Sequence, residues 1–161
     1  MGERRSVGAP GAQVIVISGP SGVGKDTIIN ELRRRPVGGN FHYVVTCTTR
    51  APREGEMNGV HYHFRSPEEF AALEAAAELL ESATVHGRSY GTPRSEVRDA
   101  IVRGQDALLK IDVQGARSVR AVIPEALLIF IAPPSPEALA DRSEEHTSEL
   151  QSRETISYAV F

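Results

Sequence analysis

The sequence predicts an α/β fold, a doubly wound parallel sheet with helices on both faces, on two observations. Apolar β-type runs at residues 14–17, 107–112 and 126–132 alternate with segments of helical apolar spacing, the pattern of strands joined by crossover helices. The first run also passes through a Gly-rich turn straight into a helix, the smallest unit of such a fold.

The chain's bulk properties bound what it can be. Its 161 residues, 40% hydrophobic, suit one domain with a real core. A net charge of −3 gives no reason to expect nucleic-acid binding. The lone Cys47 cannot form an internal disulfide, and no apolar run approaches a membrane span. Residues 1–13 read as a flexible leader rather than a signal peptide, so a cytoplasmic protein is the expectation. Oligomeric state is not legible.

Residues 14–32, VIVISGPSGVGKDTIINEL, hold strand, loop and helix in succession. Gly19, Gly22 and Gly24 let the backbone curl so that successive N–H groups face an anion, and the following helix adds the positive end of its dipole. Lys25 places a full charge where polyphosphate oxygens would lie. The spacing G-x-x-x-x-G-K in this context is a P-loop. Asp26 stands where the pattern has a Mg²⁺-binding Ser or Thr, and Thr27 follows on another side of the helix, which is expected to stop near Arg35.

A strand is expected over 41–47, leading to a polar turn in which Arg50 and Arg53 suit a phosphate gripped by forked hydrogen bonds. Residues 60–64 read as a short strand with His61 and His63 on one solvent-facing side and Tyr62 on the other; without a third ligand at a supporting spacing the pair is not read as a metal site. Ser66 to Glu69 forms a capping box opening a helix to about Ala77. Residues 78–86 read as a strand whose apolar pattern Glu81 interrupts, either as a solvated edge residue or as an acceptor aimed at a ligand. Residues 87–94 read as a turn-rich loop presenting Tyr90 and Thr92, and Ser95 as the cap of a helix through Arg103. The strand over 107–112 ends in Asp112, Gln114 and Gly115, at the sheet edge where open α/β folds bind ligands. A helix at 116–123, the apolar strand at 126–132 and a helix opening at Pro133 complete the series.

With these motifs in order, GPSGVGK (19–25), TTRAPREGE (48–56), NGVHYHF (58–64), ELLE (78–81), YGTP (90–93), DVQGA (112–116) and FIAPPS (130–135), the chain resembles the guanylate kinases, which phosphorylate GMP to GDP with ATP. The resemblance covers residues 14 to about 141 and implies a P-loop NTPase-type sheet with a GMP-binding insertion at about 45–94. It implies ATP contacts from Gly19, Pro20, Ser21, Gly22, Val23, Gly24, Lys25, Asp26 and Thr27, with Lys25 the catalytic cation. In the GMP site it places Arg50, Arg53, Tyr62 and Tyr90 on the phosphate, and Thr46, Glu81, Thr92 and Asp112 at or behind the guanine edge. Guanine's adjacent N1–H and N2–H₂ donors suit a carboxylate such as Glu81, whereas adenine offers an acceptor there. Mg²⁺ is the implied cofactor, with Asp26 its candidate ligand. Lys110 stands where many relatives have an acidic residue, so it is expected to pair with Asp26 or with phosphate. Two alternatives are a non-catalytic guanylate-kinase-like binding module, against which Gly19, Gly24 and Lys25 weigh, and another P-loop small-molecule kinase, against which Glu81 and TTRAPR weigh.

From Arg142 onward the resemblance stops. Residues 142–152 and 156–161 resemble the translation of a sequencing-library adapter, so the segment is expected to be a non-native tail without function. Relatives continue past residue 141 with a lid of arginines and an adenine-contacting segment. The chain as written is therefore expected to keep GMP binding better than turnover, with apolar surface at Leu127, Ile129 and Ile131 incompletely covered.

Overall fold

The computed structural model describes residues 11–35, 40–133 and the backbone of 157–160. A five-stranded sheet has the order β2-β7-β1-β8-β9, built from β1 (Val14–Ser18), β2 (Phe41–Tyr43), β7 (Asp106–Lys110), β8 (Leu127–Ala132) and β9 (Ser157–Val160). The pairings β2–β7, β7–β1 and β1–β8 are parallel, as crossover connections require. α1 (Lys25–Arg34) packs on one face, where Ile17, Val23, Ile29, Leu108 and Ile131 form a cluster. On the other face Val14, Val16, Ala107 and Leu109 pack with Val97 and Ala100 of α3 (Arg94–Val102) and Ala116 and Val119 of α4 (Val113–Val122). Residues one apart on β1 and β7 thus serve opposite layers, the period-2 rule of a sheet buried on both sides.

A second sheet, β4-β3-β6-β5, holds β3 (Cys47–Thr48), β4 (His63–Phe64), β5 (Leu79–Val85) and β6 (Arg88–Pro93). α2 (Pro67–Ala75) covers one of its faces through Phe70 and Leu73, packed with Cys47 and Leu79. α2 opens as expected: the Glu69 N–H donates to Ser66 Oγ at 3.1 Å, and the Ser66 N–H donates to Glu69 Oε2 at 2.8 Å.

Several boundaries differ from expectation. The single strand over 41–47 is two strands in two sheets; residues 44–46 cross between them, with the Val44 N–H on the Leu108 carbonyl and the Val45 N–H on Glu96 Oε2. The loop at 87–94 is strand β6, paired antiparallel with β5 through a two-residue turn, His86-Gly87, in which both φ values are positive (49° and 71°). Its Gly, Ser and Pro content concealed the strand, because the pairing partner rather than local propensity extends it. α3 begins at Arg94 after Pro93, so Ser95 lies inside the first turn and caps nothing; the Arg94 N–H is taken by the Glu78 carbonyl.

His61 and His63 part company as well. Only residues 63–64 are strand, and His61 Nδ1 accepts the Met57 N–H in the preceding turn. His63 is half-buried rather than solvent-facing: its Nε2 lies 2.7 Å from Glu96 Oε1, while His42 Nε2 lies 3.2 Å from Oε2. Burial alone would raise the Glu96 pKa, but these two histidines and the Val45 N–H outweigh it and hold the group below its ordinary value.

Ile131 is fully buried against the α1 layer, contrary to expectation, while Leu127 and Ile129 remain partly exposed. β9, in the segment read as foreign, lies antiparallel along β8 from Ile129↔Val160 to Ala132↔Ser157. The helix expected at Pro133 and the rest of the tail lie outside the described residues, as do residues 1–10 of the leader.

Candidate active site

The loop between β1 and α1 is built for an anion. Gly19 has φ +151°, and a Cβ there would lie 2.4 Å from the Ile131 carbonyl oxygen, so only glycine lets the loop pass β8. Gly24, at φ 99°, turns the chain into α1 without a side-chain cap, which leaves the first-turn N–H groups of the helix to an incoming ligand. Val23 anchors the loop in the α1-side cluster, while Ser21, Asp26 and Thr27 stand exposed around its rim. Lys25 Nζ donates to the carbonyls of Gly19 and Pro20, both at 2.7 Å. Its pKa is lowered, first by burial and then by Lys110, against the opposing pull of Asp26 and Asp112.

Asp26 and Lys110 meet: Lys110 Nζ donates to Asp26 Oδ1 at 2.5 Å. Burial opposes the Lys110 charge, yet Tyr62 and Asp26 outweigh it and move its pKa upward. Of the two partners left open by the sequence, the structure supplies the carboxylate.

The second sheet presents the other half. In an antiparallel pair directly opposed residues share a face. Glu81 opposes Thr92, while Tyr90 opposes both Ala83 and Thr48. Glu81, Thr92, Tyr90 and Thr48 therefore line one face, the one away from α2. Glu81 is 6% exposed and its Oε1 accepts the Thr92 hydroxyl at 2.6 Å. It is neither a solvated edge residue nor a core group in an apolar shell. Burial pushes its pKa up, Asp112 adds repulsion, and the Thr92 hydrogen bonds partly offset both. α4 approaches so closely that a Cβ on Gly115 would lie 2.6 Å from Glu81 Oε2. Asp112 caps that helix, accepting the Gly115 N–H at 2.7 Å. Thr46 is buried, and its carbonyl accepts the His63 N–H.

Arg50 is held from several sides. Its guanidinium forks onto Glu56, Nη1 to Oε2 at 3.0 Å and Nη2 to Oε1 at 2.9 Å, and lies 5.2 Å from the centre of the Tyr62 ring. The Glu56 hydrogen bonds, and to a smaller degree Tyr90, raise its pKa further. Its backbone is fixed by the Thr48 hydroxyl, which accepts the Arg50 N–H and donates to the Ser89 carbonyl. Tyr62 in turn meets Tyr90 edge-on, with centroids 6.2 Å apart. Arg53 joins through its backbone, its N–H donating to Glu56 Oε2 at 2.8 Å, while its side chain is exposed.

Glu56 was missed as a site residue. Its signal was available: a carboxylate six residues after Arg50 and three after Arg53, closing the turn that carries both arginines. Gly115 was noticed only as part of a strand end, since the need for a missing side chain arises from Glu81, 34 positions away.

A P-loop on a parallel α/β sheet, facing a second sheet that carries a buried carboxylate and an arginine–tyrosine cluster, defines the class of P-loop nucleotide-binding proteins. The guanylate kinase family model matches residues 11–159, and the chain belongs to the guanylate kinase family. It is 51% identical over 130 residues to the guanylate kinase of Thermobifida fusca, with 81% of this chain and 65% of that protein covered. It is 46% identical over 129 residues to that of Carboxydothermus hydrogenoformans, with 80% and 62% covered. The crystal structure of guanylate kinase from Anaplasma phagocytophilum superposes with a TM-score of 0.70 at 38% identity, over 82% of this chain and 65% of that one. The chain thus spans about three fifths of the length of curated relatives such as these.

Proposed function

We propose that the protein is a nucleoside monophosphate kinase that transfers the γ-phosphate of ATP to GMP, giving ADP and GDP. The observation that carries this reading is Glu81, a buried carboxylate fixed by Thr92 on the same sheet face as Tyr90. Guanine presents two adjacent N–H donors to such a group, whereas adenine would bring an acceptor against it. Arg50, braced by Glu56, supplies a forked cation of the kind that matches a phosphomonoester, with Tyr62, Tyr90 and Arg53 around it. Thr46 and Asp112 support the guanine end from the crossing at 44–46 and from α4. Residues 45–94 form the acceptor unit.

The β and γ phosphates of ATP would lie in the 19–25 loop, on its N–H groups and on Lys25. The acceptor oxygen belongs to a phosphate with a second pKa of about 6, so it is largely ionised at neutral pH and needs no general base. Catalysis is then alignment and charge neutralisation by Lys25 and the arginines. The implied Mg²⁺, when bound with ATP, would supply further charge neutralisation. Asp26 fits such an ion, being a carboxylate at the loop's rim, 76% exposed on its side chain, and Mg²⁺ commonly takes one or two carboxylates with phosphate and water completing its shell.

Among the described residues no helix is long and apolar enough to cross a membrane. The reading is tested by phosphoryl transfer from ATP to GMP, AMP, CMP and free peptides, together with calorimetric binding of each. GMP should be preferred over AMP and CMP by at least tenfold. Equal use of the three, or peptide binding without GMP binding, would defeat it.

A further inference from the structure

We propose that Lys110 is a phosphate-binding residue at the joint between the two halves of the site, holding the acceptor phosphate in line with the loop; this rests on the reading of the chain as a GMP kinase. Lys110 ends β7 and is paired across the sheet with Ile17, two residues before Gly19, which sets its backbone level with the loop's mouth. Its ammonium reaches both halves. It donates to Asp26 in the first turn of α1 and lies 5.5 Å from the centre of the Tyr62 ring. That ring is the one lying under Arg50 and against Tyr90. Arg50, Tyr62, Lys110, Asp26 and Lys25 therefore lie in succession from acceptor to donor, with the Tyr62 ring beside both Arg50 and Lys110.

The charges along this path favour an anion between the halves. Lys110 and Lys25 repel each other, and the carboxylate beside both is the exposed Asp26. An ammonium has three donors; among the described residues Asp26 engages one, which leaves donors for a phosphate oxygen. A phosphomonoester near neutral pH carries about −1.5 to −2 charges, enough to draw both lysines and Arg50 together. A simple surface ion pair with Asp26 would not need a side chain three-quarters shielded from solvent or the contact with Tyr62.

The experiment is calorimetric titration of the full chain and its Lys110→Met and Lys110→Arg variants with GMP and, separately, with guanosine, in buffer free of ATP and divalent cations. Lys110→Met should weaken GMP binding about 10- to 100-fold, the range for a hydrogen bond to a charged group, and leave guanosine binding unchanged. Lys110→Arg should recover most of the loss. In the unaltered chain the Lys110 ¹⁵Nζ resonance should shift with GMP and not with guanosine, a readout that does not depend on any variant folding. An unmoved resonance, or a loss that is equal for GMP and guanosine, would overturn the assignment while leaving the functional reading in place. Absence of GMP binding by the unaltered, folded chain would overturn the functional reading and this proposal with it.

Discussion

The two halves of the proposed site are built in opposite ways. The donor half is nine consecutive residues, Gly19 to Thr27, whose geometry comes from glycine conformations and the start of α1. The acceptor half gathers Thr46, Arg50, Tyr62, Glu81, Tyr90, Thr92 and Asp112 from seven places in the chain. Strand register in the second sheet, the Glu56 brace and the close pass of α4 over Glu81 bring them together. A contiguous motif can be disabled by one substitution yet leaves its neighbours alone. A dispersed one distributes its precision over residues that never touch the substrate.

The sharpest break falls on the donor half. Lys25→Met should lower GMP-dependent ATP turnover about 10²- to 10³-fold, the usual effect of removing one preorganised charge from a transition state. GMP affinity measured by calorimetry should hold. A parallel loss of GMP affinity would mean that the halves are not separately built.

Glu81→Gln is the matching break in the acceptor half. An amide leaves one guanine donor facing another donor, which costs about 1–3 kcal/mol of GMP binding and should leave ATP binding unaffected. Because burial raises the Glu81 pKa, its ionised form works against the native state. The variant should therefore melt at the same temperature as the parent or higher, by calorimetric scan.

Acidity separates the braces from the reader. Glu56 and Glu96 are held below their ordinary value of 4.5, Glu56 chiefly by its Arg50 hydrogen bonds. Their stabilisation is present above pH 4.5 and is lost as pH falls through their lowered values. Glu81 has the reverse sign: acidification neutralises it at a higher pH, weakening GMP binding before the fold suffers. Titrating GMP affinity and thermal stability over pH 4–7 should show the affinity falling first. Glu56→Gln, which loosens Arg50 without touching Glu81, should weaken GMP by about 1 kcal/mol and spare guanosine.

The smallest effect concerns Asp26. Asp26→Ser should preserve the fold, losing about 0.3–1 kcal/mol of helix-dipole stabilisation together with the Lys110 ion pair, while changing the Mg²⁺ concentration needed for half-maximal ATP binding. An unchanged Mg²⁺ dependence would leave Asp26 only as the partner of Lys110.

By itself the sequence determined the parallel core, the glycine-rich loop and the opening of α2, because each depends on neighbours within a turn or a strand: β-branched runs, glycines at fixed spacing, and the Ser66–Glu69 box. The individual chemistry of Arg50, Glu81 and Tyr90 was also legible, since carboxylate, guanidinium and phenol suit particular ligand groups wherever they stand. What only the tertiary structure decided was their assembly. β6 is a strand because β5 pairs with it, residues 41–48 divide between two sheets because each half meets a different partner, and His63 is half-buried because Glu96 arrives from α3. Gly115 and the Lys110–Asp26 pair follow the same rule. Contacts across 30 to 84 positions leave no period or spacing in the sequence, because they depend on how layers close over one another and not on what lies next along the chain.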